Sequence, residues 1–161
     1  MSLVHVHLLL THVPVLGTIL GLVLLAAAVA RRSEDLRRAA FATFMAGALL
    51  AVPTYLTGAA AEAAVENLPG VTDAQIERHE RIAGVALALV ATLGVIGLAG
   101  FVAGRRAQRV ARAGAYAAAL VGLVTAGVMA ITANTGGAIR HSEIRAVAAV
   151  DGGGHAEDHD R

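Results

Sequence analysis

The sequence predicts an all-α integral membrane protein, an antiparallel four-helix bundle with both termini outside. Three observations lead there. The chain has 161 residues, of which 57% are apolar and 16% charged, and its mean hydropathy is +0.67, so its few charges are concentrated between long uncharged stretches. There are four such stretches, each as long as the roughly 20 residues needed to cross a bilayer as a helix. All thirteen basic residues are Arg. Eight of them cluster in RRSEDLRR (Arg31 to Arg38) and RRAQRVAR (Arg105 to Arg112), two short loops that the positive-inside rule assigns to the cytoplasm.

The first span runs from Leu8 to Ala30. It lacks a basic leader, exceeds the usual signal-sequence core and ends on Arg31 and Arg32, so it reads as a retained helix. The second runs from Ala39 to Ala61. Pro14 and Pro53 fall inside these two spans, where each removes an N–H and frees a carbonyl one turn earlier, at Leu10 and Leu49, so kinks are expected. The outer 62–81 loop is mainly acidic. Thr72 followed by Gln75 fits a capping box with Asp73 in the first turn, which starts the third helix near residue 73, two turns above the span from Ile82 to Gly104. The fourth span covers Ala113 to Asn134 and is expected to end at Gly136-Gly137, closing a bundle over residues 1–137. Beyond it, 138–150 reads as a short outer interfacial helix with Ile139, Ile144 and Val147 on one face. The Gly-rich tail 151–161 reads as disordered. Gly17 with Gly21 and Gly100 with Gly104 have the spacing that lets helix backbones approach. The sequence leaves open whether these small residues serve packing or make room for a flat cofactor. No repeat of 20 to 50 residues is evident, although both halves share a span, Arg loop, span arrangement.

Composition excludes several chemistries. With no Cys, disulfides, Cys-ligated zinc, iron–sulfur clusters and covalently attached haem are ruled out, and any metal chemistry falls to His and carboxylates. The formal charge of +1 implies no acidic partner. No phosphate loop, nucleophile elbow, H-E-x-x-H or dinucleotide fingerprint occurs. Nucleic-acid binding has no support, because topology explains the Arg pairs and no aromatic platform accompanies them. Transport has little, with no ionisable group at the bilayer midplane.

None of the seven His lies in an Arg-rich loop. His5, His7, His12, His79 and His141 all lie at or beyond the outer ends of spans, with His155 and His159 in the tail. At about 1.5 Å per helical residue, His7 lies roughly 36 Å above Arg31, Glu62 roughly 36 Å from Arg38, and His79 roughly 39 Å from Arg105. These three share a level. His12 comes out near 28 Å, the deepest ionisable group. His5 and His12 share a helical face, whereas His7 is rotated about 140° from His12, so not all three point inward. His141 is expected to cap the layer from above after the Gly break. A lone interfacial His is more often a satisfied polar group than a ligand, but several at one face weaken that reading. Glu62 with Glu66 reads first as a solvated helix end, and Thr11, Thr54, Thr57 and Thr132 as bonded back to their own helices or to Pro-freed carbonyls.

Two cofactor readings stay nearly even on the residues. One is an electron-transfer module with non-covalent haem b held by His79, with His12 or His7 opposite and His141 nearby. The other is a non-haem zinc, copper or iron site using His7, His79, His141 and Glu62. A third reading is a non-catalytic scaffold subunit of a membrane complex, and self-association is left open.

The string HLLLTHVP (His7 to Pro14) resembles the His-x4-His-x-Pro opening of a four-span bacterial membrane family, domain of unknown function twenty-two thirty-one. Thr57-Gly58 at the end of span two, His79 at the start of span three and TGGAIRH (Thr135 to His141) agree, in the family's order, over roughly residues 5–145. Val13 stands where the family usually has an aromatic. The resemblance implies a plasma (inner) membrane location in a bacterium. Through the Rieske-type and c-type cytochrome domains that accompany relatives, it also implies a periplasmic or membrane redox partner, which tips the cofactor expectation toward haem.

Overall fold

The computed structural model describes residues 2–104 and 107–141. Among these residues all the regular secondary structure is α-helical, in six segments: α1 (Leu3–Leu10), α2 (His12–Arg31), α3 (Glu34–Leu56), α4 (Gly58–Ala63), α5 (Asp73–Ala103) and α6 (Gln108–Arg140). α1 and α2 form one interrupted rod, and this rod, α3, α5 and α6 are each long and apolar enough to cross a membrane.

The helix boundaries follow from local chemistry. The break between α1 and α2 falls at Thr11, one turn before Pro14, where the missing N–H leaves the Leu10 carbonyl without an intrahelical donor. Arg32 closes α2 in the left-handed region (φ 52°), and Ser33 opens α3 by accepting the Leu36 N–H at 3.3 Å, with Glu34 and Asp35 in the favourable first turn. The expected capping contact at α5 is present, the Thr72 N–H donating to Gln75 Oε1 at 3.0 Å.

Several boundaries depart from expectation. α3 begins at Glu34 and α6 at Gln108, so Glu34–Arg38 and Gln108–Arg112 of the two expected Arg-rich loops are helical. The second span ends at Leu56, and Thr57 separates it from the short α4. α6 does not stop at Gly136-Gly137; it continues to Arg140, with the His141 N–H bonded to the Gly137 carbonyl at 2.9 Å. Residues 138–140 therefore belong to α6. His141 caps that helix, and residues 142–150 of the expected 138–150 helix and the tail with His155 and His159 lie outside the described residues. A glycine lowers helix propensity by only about 1 kcal/mol, which packing outweighs here, for a reason visible at His79 below.

α3 packs against both α2 and α5, α5 packs along α6, and α2 closes the ring against α6. The half of the bundle nearer the Arg-rich loops is filled by Phe41, Phe44, Leu25, Leu93 and Ala118. Side chains there occupy the space that small residues leave. The Phe44 ring covers Gly21 and the Phe41 ring covers Gly100, so a methyl group at either glycine would collide with it. At these two positions the small residues serve ring packing. At the same end Arg37 pairs with Glu34 and the Arg38 guanidinium lies 5.5 Å from the Phe101 ring centroid. The opposite half has a lighter core of Ala51, Ala86, Val90 and Met129. Connectivity brings residue 2 and residue 141 to this second end.

Candidate functional site

The second end carries the described histidines, and the structure divides them. His5 is exposed, its Nδ1 2.7 Å from Ser2 Oγ. His12 is exposed as well, and its Nδ1 lies 3.3 Å from the carbonyl of Leu8 one turn back on its own strand of helix. The face shared by these two turns away from the core. His7, on the other face of α1, is half-buried and reaches α3, with Nδ1 2.9 Å from the Thr54 carbonyl and 3.3 Å from Thr57 Oγ1.

That contact exists because two helix interruptions meet. Thr57 ends α3, and the one proton of Thr57 Oγ1 is shared between the carbonyls of Pro53 (2.8 Å) and Thr54 (3.0 Å). The Thr54 carbonyl is thereby presented toward α1. Thr54 Oγ1 in turn reaches the Pro14-freed carbonyl of Leu10 at 3.4 Å, besides bonding its own Leu50 carbonyl at 2.8 Å.

His79, two turns into α5, is half-buried against α6. Its Nδ1 lies 3.1 Å from Thr135 Oγ1, and that hydroxyl donates to the Thr132 carbonyl at 3.0 Å. The ring also makes a backbone hydrogen bond at Thr132 and is within electrostatic reach of His7. Gly136 lets the ring approach, since a Cβ there would stand 2.9 Å from His79 Cε1. The Gly pair that looked like a helix stop is thus a close-contact position inside a continuous helix.

The Thr54 carbonyl accepts only, so in His7 Nδ1 is the protonated nitrogen and Nε2 carries the lone pair. His79 Nδ1 faces a hydroxyl whose own proton has the Thr132 carbonyl in reach, a setting that favours the same tautomer. A metal-binding imidazole is normally oriented in this way, by donating its other N–H to an oxygen.

The remaining predicted residues stand apart. Glu62, on α4, makes a carboxyl–carboxyl contact with Glu80. That hydrogen bond raises its pKa first, followed by burial and the neighbouring charges of Glu80 and Glu66. His141 is the exposed C-cap of α6. Among the described residues, no three of His, Asp and Glu come together as metal ligands would. Thr11 and Thr132 bond back to Leu8 and Val128, both at 2.9 Å, as their sequence positions suggest.

The sequence reading missed Thr135 as the partner of His79. A signal for it was present: TYLTG (Thr54 to Gly58) and TANTG (Thr132 to Gly136) repeat one T-x-x-T-G pattern, and each copy receives one half-buried His. No family model, curated protein or solved structure matches this chain.

Proposed function

We propose that the chain is an integral-membrane electron-transfer module that binds a non-covalent haem b through His7 and His79. The observation that supports this most is the matched setting of the two imidazoles, on different helices at one end of the bundle, each with Nδ1 at hydrogen-bond distance from an oxygen. Two such ligands suffice for haem, whose porphyrin supplies four nitrogens, whereas zinc, copper or iron alone needs three or four protein ligands. The proposed third and fourth ligands do not support the non-haem alternative: Glu62 is engaged with Glu80, and His141 sits at the end of α6. Bound haem would supply one-electron chemistry. The chain would supply His7 and His79 as ligands, with their rings oriented by α3 and α6.

The Arg-rich loops support a cytoplasmic placement for that end and an outward placement for the histidines in a bacterial plasma membrane. The resemblance of HLLLTHVP and TGGAIRH to the four-span family agrees, and with it a periplasmic or membrane redox partner. The test is optical. The purified full chain, expressed with adequate haem supply, is expected to show a Soret band and a sharp α band on dithionite reduction. H7A and H79A should each abolish them while the protein still inserts, and H12A should retain them. A colourless wild type, or full haem retention in H79A, overturns the assignment and leaves the scaffold reading.

A further inference from the structure

The two T-x-x-T-G segments do the same work in the two halves of the chain. In each, the hydroxyl of the second threonine lies 3.0 Å from the carbonyl of the first, Thr57 from Thr54 and Thr135 from Thr132, and the Thr57 proton is shared with the Pro53 carbonyl at 2.8 Å. In each, the same hydroxyl oxygen faces a histidine Nδ1, at 3.3 Å from His7 and 3.1 Å from His79. In each, the glycine that follows lies beside Cε1 of that ring, so that an added Cβ would stand 3.8 Å from His7 at Gly58 and 2.9 Å from His79 at Gly136. One histidine and one T-x-x-T-G segment thus make a half-site, and the chain holds two. The arrangement spans an interruption in one half, between α3 and α4, and an unbroken α6 in the other, so helix geometry alone does not produce it.

We infer that Thr57 and Thr135 are matched positioning residues, and that the two half-sites hold His7 and His79 in the same Nδ1-protonated tautomer before any cofactor arrives. A hydroxyl whose proton is already donated can only accept from the ring, which removes the alternative tautomer and fixes the ring plane. Each half-site is backed by a carbonyl as well: His7 has the Thr54 carbonyl at 2.9 Å, and the His79 ring has a backbone hydrogen bond at Thr132 beside the Thr135 hydroxyl. This pre-setting concerns the chain itself and stands independently of what the two imidazoles bind.

The experiment is nitrogen NMR on the cofactor-free full chain, labelled at histidine and held in micelles at a pH where the rings are neutral. In the wild type both His7 and His79 should show a protonated-type Nδ1 and an unprotonated-type Nε2. T135V should raise the Nε2-protonated fraction of His79 and leave His7 unchanged, T57V should do the converse, and T135S should restore the wild-type signal. A wild-type His79 protonated at Nε2 overturns the inference, and so does an unaltered His79 in T135V. If T135V fails to fold, the wild-type and T135S signals decide it. Loss of haem with correct tautomers would defeat the haem assignment alone.

Discussion

His7 and Thr54 are tied in both directions: the imidazole donates to the Thr54 carbonyl at 2.9 Å, and Thr54 Oγ1 reaches the Leu10 carbonyl, three residues beyond His7, at 3.4 Å. Each bond uses a carbonyl exposed by a helix interruption. The kinked N-terminal rod and the end of α3 thereby satisfy one another's freed carbonyls.

Replacing Thr54 with Val keeps the shape and removes the hydroxyl. The Leu10 carbonyl then has neither the N–H that Pro14 lacks nor the threonine. T54V is expected to lower stability by about 1 kcal/mol, a typical value for a hydrogen bond between membrane helices. Thermal unfolding in detergent checks this, and T54S should recover the loss.

Glycines on α6 should respond oppositely to alanine. At Gly136 the new methyl group meets the His79 ring at 2.9 Å, and overpacking of this kind costs about 1–3 kcal/mol. Gly127 has nothing within 4 Å of an added Cβ, so G127A should be neutral or stabilising by up to about 1 kcal/mol through helix propensity. A pair of melting curves distinguishes the two, and equal effects would contradict the packing described for His79.

The Glu62–Glu80 contact makes stability pH-dependent in a defined direction. Glu62 has a pKa raised in the folded chain, chiefly by its hydrogen bond to Glu80. Its contribution is therefore complete below the unfolded carboxyl range and is lost as pH rises through the raised folded value. Docking of α4 should be firmest in mild acid. E62Q retains a donor without the charge, so its unfolding midpoint should vary less between acid and neutral pH than that of the wild type. An identical pH profile for both would exclude this pair as the source.

Arg32 adopts φ 52° at the end of α2, a conformation that costs a non-glycine residue roughly 1–2 kcal/mol. R32G should raise the unfolding midpoint, by an amount equivalent to about 1 kcal/mol or less once the chain entropy of glycine is included. A fall would show that the Arg32 side chain contributes more than its backbone strain costs.

The spans, the Arg-rich turns and the cap at Thr72 were legible in the sequence because each depends on neighbouring residues alone. The gathering of His7 and His79 at one end followed from counting residues along helices. The choice of His7 over His12 did not, since the 140° between them fixes their relation to each other but not which faces the core. Gly136-Gly137 was misleading for a related reason. A glycine that admits a neighbouring ring and a glycine that ends a helix look alike until the neighbour is known. Thr135 was hidden in the same way, because a hydroxyl bonded back to its own helix gives no sign that its oxygen also accepts from another.

The uneven distribution of aromatic bulk has a mechanical consequence. Phe41 and Phe44 interlock with glycines near the Arg-rich turns, whereas the histidine end is held by alanines, valines and a few threonine bonds. Thermal breathing should therefore begin at the imidazoles while the phenylalanine-filled base stays shut. Amide hydrogens of residues 40–47 would exchange with deuterium last, and a guest molecule could be admitted at the rim without dismantling the foundation.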